Sequence, residues 1–150
     1  MKRAIFPGTF DPFTIGHYNL VMRGLDIFNE IIIGIGVNMS KKTLFDAGKR
    51  IDIIRQVFSN EPRVRVMTYD SLTVDFAASV EAKYILRGLR TVSDFEYEHT
   101  IANANRQLNG LETVLLFTET EYSFISSTVV RDLIAYGKDI TPYLPPHVKL

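Results

Sequence analysis

Short apolar stretches alternate with helix-period patterns along this chain, and no long linker interrupts them. Buried strands are expected at residues 4–6, 31–37, 64–67, 84–86 and 113–117. Because a right-handed crossover places each connecting helix on the sheet, this alternation predicts a parallel sheet with helices on both faces. The predicted fold class is α/β, a Rossmann-like, doubly wound sheet of five parallel strands.

Apolar residues at helical spacing and capping residues predict the helices between these strands. The first helix is expected over about residues 16–28, and Asp46 is the expected N-cap of the second. A short helix is expected over residues 72–80. Ser93 and Glu96 have the spacing of a capping box, which predicts a helix that runs to about residue 108 and ends at Gly110. The last helix is expected to end at Gly137.

Composition excludes several classes of function. Seventeen basic residues balance seventeen acidic ones, so no overall positive field would hold a nucleic acid or an anionic membrane. The chain has no cysteine, which removes thiolate nucleophiles and cysteine-ligated metal sites. No apolar run approaches the ~20 residues that span a bilayer. We therefore expect a cytoplasmic protein with a single domain over residues 1–150.

The loop at residues 7–14 leads from the first strand directly into a helix. Such a turn leaves backbone N–H groups unpaired at the helix start, where they can bind an anion such as phosphate. Gly16 would let a ligand approach closely. His17 lies in the first turn, where the helix dipole disfavours the imidazolium, so we expect a neutral imidazole that donates to a phosphate oxygen. A histidine that merely satisfies a helix start is the alternative.

Cations and hydroxyl groups follow other predicted strands at the same edge of the sheet. Lys41 and Lys42 follow the second strand, and Arg87 and Arg90 follow the fourth. Together they predict a concave surface with local positive charge, although each residue alone is typical of a solvated surface charge. Residues 126–128, Ser-Ser-Thr, open the last helix, as ordinary caps or as ligands of a triphosphate. The three histidines are too scattered to suggest a metal site.

Two motifs in the chain resemble those of a known superfamily. The T-x-G-H element at residues 14–17 and the ISST at residues 125–128 resemble the two signatures of the nucleotidyltransferases related to class I aminoacyl-tRNA synthetases. Three further elements narrow the resemblance to one family of that superfamily, namely Lys41, the RGLR at residues 87–90 and the DFEYE at residues 94–98. Their order and spacing are similar to those of the bacterial phosphopantetheine adenylyltransferases, and the similarity covers essentially the whole chain.

This resemblance implies an enzyme that joins ATP and 4′-phosphopantetheine into dephospho-coenzyme A and pyrophosphate. The reaction would be reversible and would be the penultimate step of coenzyme A biosynthesis. Magnesium, bound mainly through the ATP phosphates, is the implied cofactor. The resemblance also implies a homohexamer and feedback inhibition by coenzyme A.

The resemblance further assigns roles to individual residues. The implied ATP contacts are Thr9, Phe10, His17, Gly88, Leu89, Arg90, Glu98, Tyr122, Ser123, Phe124, Ile125, Ser126, Ser127 and Thr128. The implied phosphopantetheine contacts are Thr9, Lys41, Leu72, Thr73, Arg87 and Asn105. Four of these residues are the candidate catalytic groups, namely His17, Lys41, Thr9 and Arg90, and His17 matches the family's transition-state stabiliser.

The chemistry of this reaction agrees with the side chains that the chain offers. The nucleophile would be a phosphate monoester, whose second pKa of about 6 leaves it largely dianionic at neutral pH. No general base is then required. What remains is to hold two anions in line and to stabilise charge on the α-phosphate and the leaving pyrophosphate.

Two other classes of function stay open at this point. Nicotinamide or nicotinic acid mononucleotide adenylyltransferases and glycerol-phosphate cytidylyltransferases share the superfamily signatures. They usually carry a second histidine where this chain has Thr14, and they lack the RGLR and DFEYE pair. A non-catalytic adenine-nucleotide sensor is the other alternative, and the intact Thr9, His17 and Lys41 argue against it.

Overall fold

A computed structural model describes all residues from Met1 to Leu150. The strands are β1 (Arg3–Gly8), β2 (Glu30–Gly36), β3 (Val64–Tyr69), β4 (Tyr84–Leu89) and β5 (Glu112–Phe117). The α-helices are α1 (Ile15–Gly24), α2 (Ala47–Val57), α3 (Thr73–Ser79), α4 (Val92–Asn109) and α5 (Ser127–Ala135). Single 3₁₀ turns cover Thr120–Tyr122 and Thr141–Tyr143. None of the helices is long and apolar enough to cross a membrane.

All five strands form one sheet in the order β3-β2-β1-β4-β5, and every neighbouring pair is parallel. The predicted α/β fold class is therefore confirmed. The chain builds outward from β1 to β3, then returns to place β4 on the other side of β1. The carboxyl ends of β1 and β4 consequently flank the point where the strand order reverses, which is where such sheets bind ligands.

Alternate residues of the central strands feed two separate cores, one on each face of the sheet. Phe6 and Ile33 belong to the core that α1 and α2 cover. Ile5 and Ile32, their neighbours in sequence, belong to the core that Phe76 and the rest of α3 cover. Strands buried on both faces explain why β1 and β2 are continuously apolar. Each fully buried side chain of this size contributes about 1.5–3 kcal/mol.

Two predicted boundaries are wrong, for local reasons. The first helix ends at Gly24 and not at residue 28, because the chain must turn to enter β2. The N–H groups of Ile27 and Phe28 donate to the Gly24 carbonyl in that turn, and Phe28 still packs in the core. The fourth strand, expected to end at residue 86 in a turn formed by the RGLR segment, continues to Leu89, so that segment is largely strand. The other strand boundaries differ from the predictions by a residue or two.

The cap of α4 also differs from the prediction. Thr91 and Asp94 form the capping box, each side chain accepting the other's backbone N–H, so the helix begins ahead of the predicted Ser93–Glu96 pair. Other caps are as predicted. Asp46 accepts the Lys49 N–H at 2.7 Å, and Gly110 ends α4 in the left-handed region at φ 76°. Gly137, at φ 68°, follows α5.

Candidate active site

A cavity of about 520 Å³ opens at the carboxyl ends of β1 and β4. Four segments contribute to its wall: the loop after β1 (residues 9–14), the loop that carries Lys41 (residues 37–46), the start of α4, and the segment before α5 (residues 118–126). The predicted site residues that line it are Thr9, Phe10, His17, Lys41, Arg87, Gly88, Arg90, Glu98, Tyr122, Ile125, Ser126, Ser127 and Thr128. Sequence motifs up to about a hundred residues apart thus meet in one place.

The hydrogen bonds of His17 fix which of its ring nitrogens carries the proton. Thr14 is the N-cap of α1, and its backbone N–H donates to Nδ1 of His17 at 3.0 Å. A backbone N–H can only donate, so Nδ1 is an unprotonated acceptor. The neutral imidazole therefore carries its proton on Nε2, and none of the protein's hydrogen bonds uses that N–H. It is free to donate to a ligand.

The imidazole of His17 is held neutral by its surroundings. Burial of the ring, with smaller contributions from the charges of Arg90 and Arg87, lowers the pKa of His17 from 6.5 to about 3. The sequence correctly indicated a neutral histidine but ascribed it to the helix dipole. Burial is the larger cause. The two guanidiniums act in the same direction because they repel an imidazolium.

Aromatic rings enclose this histidine. Phe10 and Phe13 lie with ring centroids 5.1 and 5.3 Å from that of His17. Phe10 is in the left-handed region at φ 53°, which folds its ring back over β1. A Cβ on Gly8 would meet that ring at 2.8 Å, so a larger residue there would displace the ring. These rings are part of the reason why the imidazole is desolvated.

Lys41 reaches across to the loop after β1. Its Nζ donates to Oγ1 of Thr9 at 2.9 Å, which joins two residues 32 positions apart. Both residues line the cavity, and Lys41 is exposed. The ammonium and the hydroxyl therefore present a donor pair at the mouth of the cavity, a suitable arrangement for a phosphate.

Arg87 and Glu98 form a bidentate ion pair that links β4 to α4. Nε and Nη2 of Arg87 donate to the Glu98 carboxylate at 2.7–3.1 Å. Nη1 of Arg87 donates to the Pro7 carbonyl at 3.0 Å. Glu98 is the one buried residue of α4. The resemblance gave these two residues to different substrates, whereas the structure brings them into direct contact.

The segment before α5 is joined to the rest of the site by side chains. Ser126 caps α5 by accepting the Val129 N–H at 3.2 Å, as its position at a helix start predicts. Ser127 donates from Oγ to the Pro12 carbonyl at 2.8 Å. Arg90 lies beside the same segment, with Nη1 at 3.5 Å from the Ile125 carbonyl. The segment is thereby fixed against both β4 and the loop after β1.

A second cavity of about 370 Å³ adjoins the first. The predicted phosphopantetheine contacts in its wall are Thr9, Leu72, Thr73, Arg87 and Asn105. Thr9, Arg87 and Glu98 also line the first cavity, so they lie where the two meet. Ile101 and Leu108 of α4 make part of its wall apolar.

Three predicted site residues line neither of these cavities, namely Leu89, Ser123 and Phe124. Leu89 is buried at the end of β4, and Phe124 packs edge-on against Tyr143 at 6.0 Å. Sequence reasoning also missed two buried charged residues beside the site, Asp11 and Arg50. Both bond to backbone groups of distant loops, for which a sequence carries no spacing signal.

Comparison with known proteins adds independent observations. The cytidylyltransferase-like family model matches residues 5–133. The chain is 59% identical over 150 residues to the phosphopantetheine adenylyltransferase of Phocaeicola vulgatus, covering 100% of this chain and 99% of that protein. The proteins of the same name from Bacteroides thetaiotaomicron and Bacteroides fragilis are 57% and 55% identical over the same length.

Solved structures with similar folds have far lower sequence identity. A bifunctional NMN adenylyltransferase/ADP ribose pyrophosphatase from Francisella tularensis matches with a TM-score of 0.75 at 15% identity, covering 95% of this chain and 44% of that one. The same protein complexed with AMP and a manganese ion matches with a TM-score of 0.72 at 14% identity, covering 97% of this chain and 45% of that one. This chain thus spans just under half of that longer protein, and the likeness concerns the fold.

Proposed function

We infer the function of this chain from its family, because it belongs to the phosphopantetheine adenylyltransferases, within the cytidylyltransferase-like family. It is an enzyme that transfers AMP from ATP to 4′-phosphopantetheine, giving dephospho-coenzyme A and pyrophosphate, a step of coenzyme A biosynthesis. The relatives carry this name at 43–59% identity. The alternative of a nicotinate or nicotinamide mononucleotide adenylyltransferase has support from the NMN adenylyltransferase structures at 14–15% identity, which is a likeness of fold alone.

The mechanism we derive is a direct in-line attack of the phosphopantetheine phosphate on the α-phosphate of ATP. The free Nε2–H of His17 is the observation that carries it. The Thr14 N–H occupies Nδ1, so the neutral ring offers one donor in a desolvated setting. A donor pre-aimed at developing phosphate charge stabilises the transition state without reorganising. His17 is therefore the transition-state stabiliser.

The remaining candidate catalytic residues bring the two anions together. Lys41 and Thr9, joined at 2.9 Å, hold the attacking phosphate. Arg90, beside the segment before α5, holds the ATP phosphates together with the hydroxyl of Thr128, whose proton no protein group accepts. The attacking phosphate is already dianionic, so no side chain has to remove a proton. Positioning and electrostatic stabilisation account for the catalysis.

The two cavities provide separate places for the two substrates. ATP occupies the larger, polar one, and the pantetheine arm occupies the smaller one. Ile101 and Leu108 match the apolar parts of that arm, while Thr73 and Asn105 match its amides and hydroxyl. Thr9 and Arg87 lie at the junction, where the attacking phosphate meets the α-phosphate.

Magnesium is proposed to bind together with ATP. The chain has no group of three or more His, Asp or Glu side chains that could hold a metal ion. Of the acidic residues in the larger cavity, Asp11, Asp94 and Glu98 accept hydrogen bonds from the protein itself. Mg²⁺ favours phosphate and water oxygens over an all-protein cage, so the ATP phosphates are its natural carriers here.

The assembly and regulation implied by the family stay proposals. Val92 and Phe95 of α4 are exposed although apolar and line neither cavity, and these side chains support contact with further copies in a homohexamer. Light scattering that detects only monomer at working concentration would contradict this. Feedback inhibition by coenzyme A is proposed because coenzyme A carries the same pantetheine arm as the substrate, and that arm is assigned to the smaller cavity. A cytoplasmic location and a single nucleotidyltransferase domain over residues 1–150 are likewise proposed.

Two experiments test the function and the mechanism separately. Run in reverse, the protein should make ATP from dephospho-coenzyme A and pyrophosphate; no ATP would overturn the function. With ATP made chiral at the α-phosphorus by one sulfur substitution, a single displacement should invert that centre. Retention would instead require two displacements through a covalent enzyme intermediate, and would overturn the in-line mechanism.

A further inference from the structure

We propose that Arg50 is a positioning residue that holds the loop after β1 against the loop that carries Lys41, and so sets the contact between Lys41 and Thr9. Arg50 lies in the first turn of α2 and lines neither cavity. The proposal rests on the proposed function, because it concerns the geometry of that reaction.

The surroundings of Arg50 are unusual for an arginine. The residue is 4% exposed, and its guanidinium forms no ion pair with any carboxylate. It donates instead to three backbone carbonyls, those of Thr9 at 2.9 Å, Phe45 at 3.0 Å and Gly36 at 3.4 Å. Burying an unpaired charge is costly, and these carbonyl bonds offset part of the cost.

The three carbonyls belong to different segments around the site. Thr9 lies in the loop after β1, Gly36 is the last residue of β2, and Phe45 ends the loop that carries Lys41. One guanidinium therefore fixes both ends of the Lys41 loop and the neighbouring loop at once. A planar fork of N–H groups suits this task, whereas a lysine ammonium on a flexible stem does not.

Asp11 reinforces the same junction from the other loop. It is 3% exposed, and its carboxylate accepts the N–H of Leu44 at 2.8 Å and that of Phe45 at 2.9 Å. The backbone of Phe45 is thus held on both sides, with its N–H bonded to Asp11 and its carbonyl to Arg50.

Lys41 depends on these anchors for its position. Its side chain is exposed, and its one hydrogen bond is the 2.9 Å contact with Thr9. Thr9 in turn is fixed through the carbonyl that Arg50 binds. Without Arg50, both partners would shift, and a misplacement of about 1 Å in a reacting group can cost on the order of 100-fold in rate.

The test compares Arg50→Met, Arg50→Lys and the matched control Arg55→Met, which removes an exposed arginine of the same helix. Arg50→Met should lower kcat on the order of 100-fold, and Arg50→Lys should recover part of that loss. Arg55→Met should behave as the unchanged protein. A kcat of Arg50→Met within about twofold of the control would overturn the proposal, as would a change confined to Tm.

A double-variant cycle with Lys41→Met distinguishes positioning from general damage. If Arg50 acts through Lys41 and Thr9, Arg50→Met should lower kcat far less in the Lys41→Met variant than it does in the unchanged protein. Effects that multiply in full would contradict the proposal. If Arg50→Met does not fold, Arg50→Lys in the same cycle decides the question. Activity of the unchanged protein is measured first, because its absence would refute the proposed function and not this inference.

Discussion

Removing either partner of the Arg87–Glu98 ion pair should destabilise the protein, and by unequal amounts. The Glu98 side chain is 8% exposed and that of Arg87 is 32% exposed. Glu98→Gln leaves a guanidinium that water and the Pro7 carbonyl still solvate. Arg87→Met leaves a buried carboxylate with no counter-charge, which is the costlier defect.

The bonds and exposures of the pair set the expected magnitudes. Glu98→Gln keeps one acceptor oxygen, so it weakens some of the three hydrogen bonds from Arg87 and removes the rest, and the change from charged to neutral bonding suggests a loss of about 2 kcal/mol in total. Removing one partner of a buried pair costs about 3–5 kcal/mol, and the partial exposure of Arg87 favours the lower end, about 3 kcal/mol. At about 2–4 °C per kcal/mol for a chain of this length, Tm should fall by about 4–8 °C and 6–12 °C.

Thermal and urea denaturation at one fixed protein concentration measure these losses. Glu96→Gln, an exposed residue of the same helix in no ion pair, is the matched control and should stay within about 0.5 kcal/mol of the unchanged protein. The double variant should lose less than the two single losses combined, because the pair is removed together. A larger loss for Glu98→Gln than for Arg87→Met would refute the reasoning from burial.

Three further predictions concern single residues of the site. The pKa of His17, lowered to about 3 from 6.5, means that the unfolded chain takes up a proton there that the native protein refuses. The free energy of unfolding should therefore fall as the pH drops from about 6.5 towards 3, by up to about 1.4 kcal/mol per pH unit. Urea denaturation at several pH values should show a weaker dependence of this free energy on pH for His17→Gln. In Gly16→Ala the new Cβ meets no protein atom closer than 3.5 Å, so Tm should hold or rise while kcat/KM falls, and a full kcat/KM would show that no ligand approaches there. Lys41→Met should lower kcat, raise KM for phosphopantetheine and leave Tm unchanged, whereas Lys49→Met, at an exposed lysine of α2, should alter none of these; a KM raised only for ATP would contradict the assignment.

The fold could be predicted because its signals are local and repeated. Ile31 to Ile33 are apolar on both faces, which indicates a strand buried between two layers, and Asp46 and Gly110 mark helix ends by their own chemistry. The position of the site then follows from topology, since loops at the carboxyl ends of parallel strands share one edge.

Other features depend on contacts that no spacing reveals. Thr91–Asp94 and Ser93–Glu96 both have the spacing of a capping box, and the end of β4 decides between them. The sequence also gives no sign that Arg87 and Glu98 bind each other. Nor does the sequence mark Arg50, because its partners are backbone carbonyls of separate segments.

The most direct test of the account is pyrophosphate release with ATP and magnesium, with 4′-phosphopantetheine and nicotinic acid mononucleotide compared as acceptors. Release is expected with phosphopantetheine alone, together with a fall in kcat for His17→Ala far larger than any loss of ATP binding. Release with the mononucleotide alone would contradict the substrate assignment. ATP binding without release would instead indicate a nucleotide sensor, and equal losses of kcat and ATP binding in His17→Ala would contradict the role given to its Nε2–H.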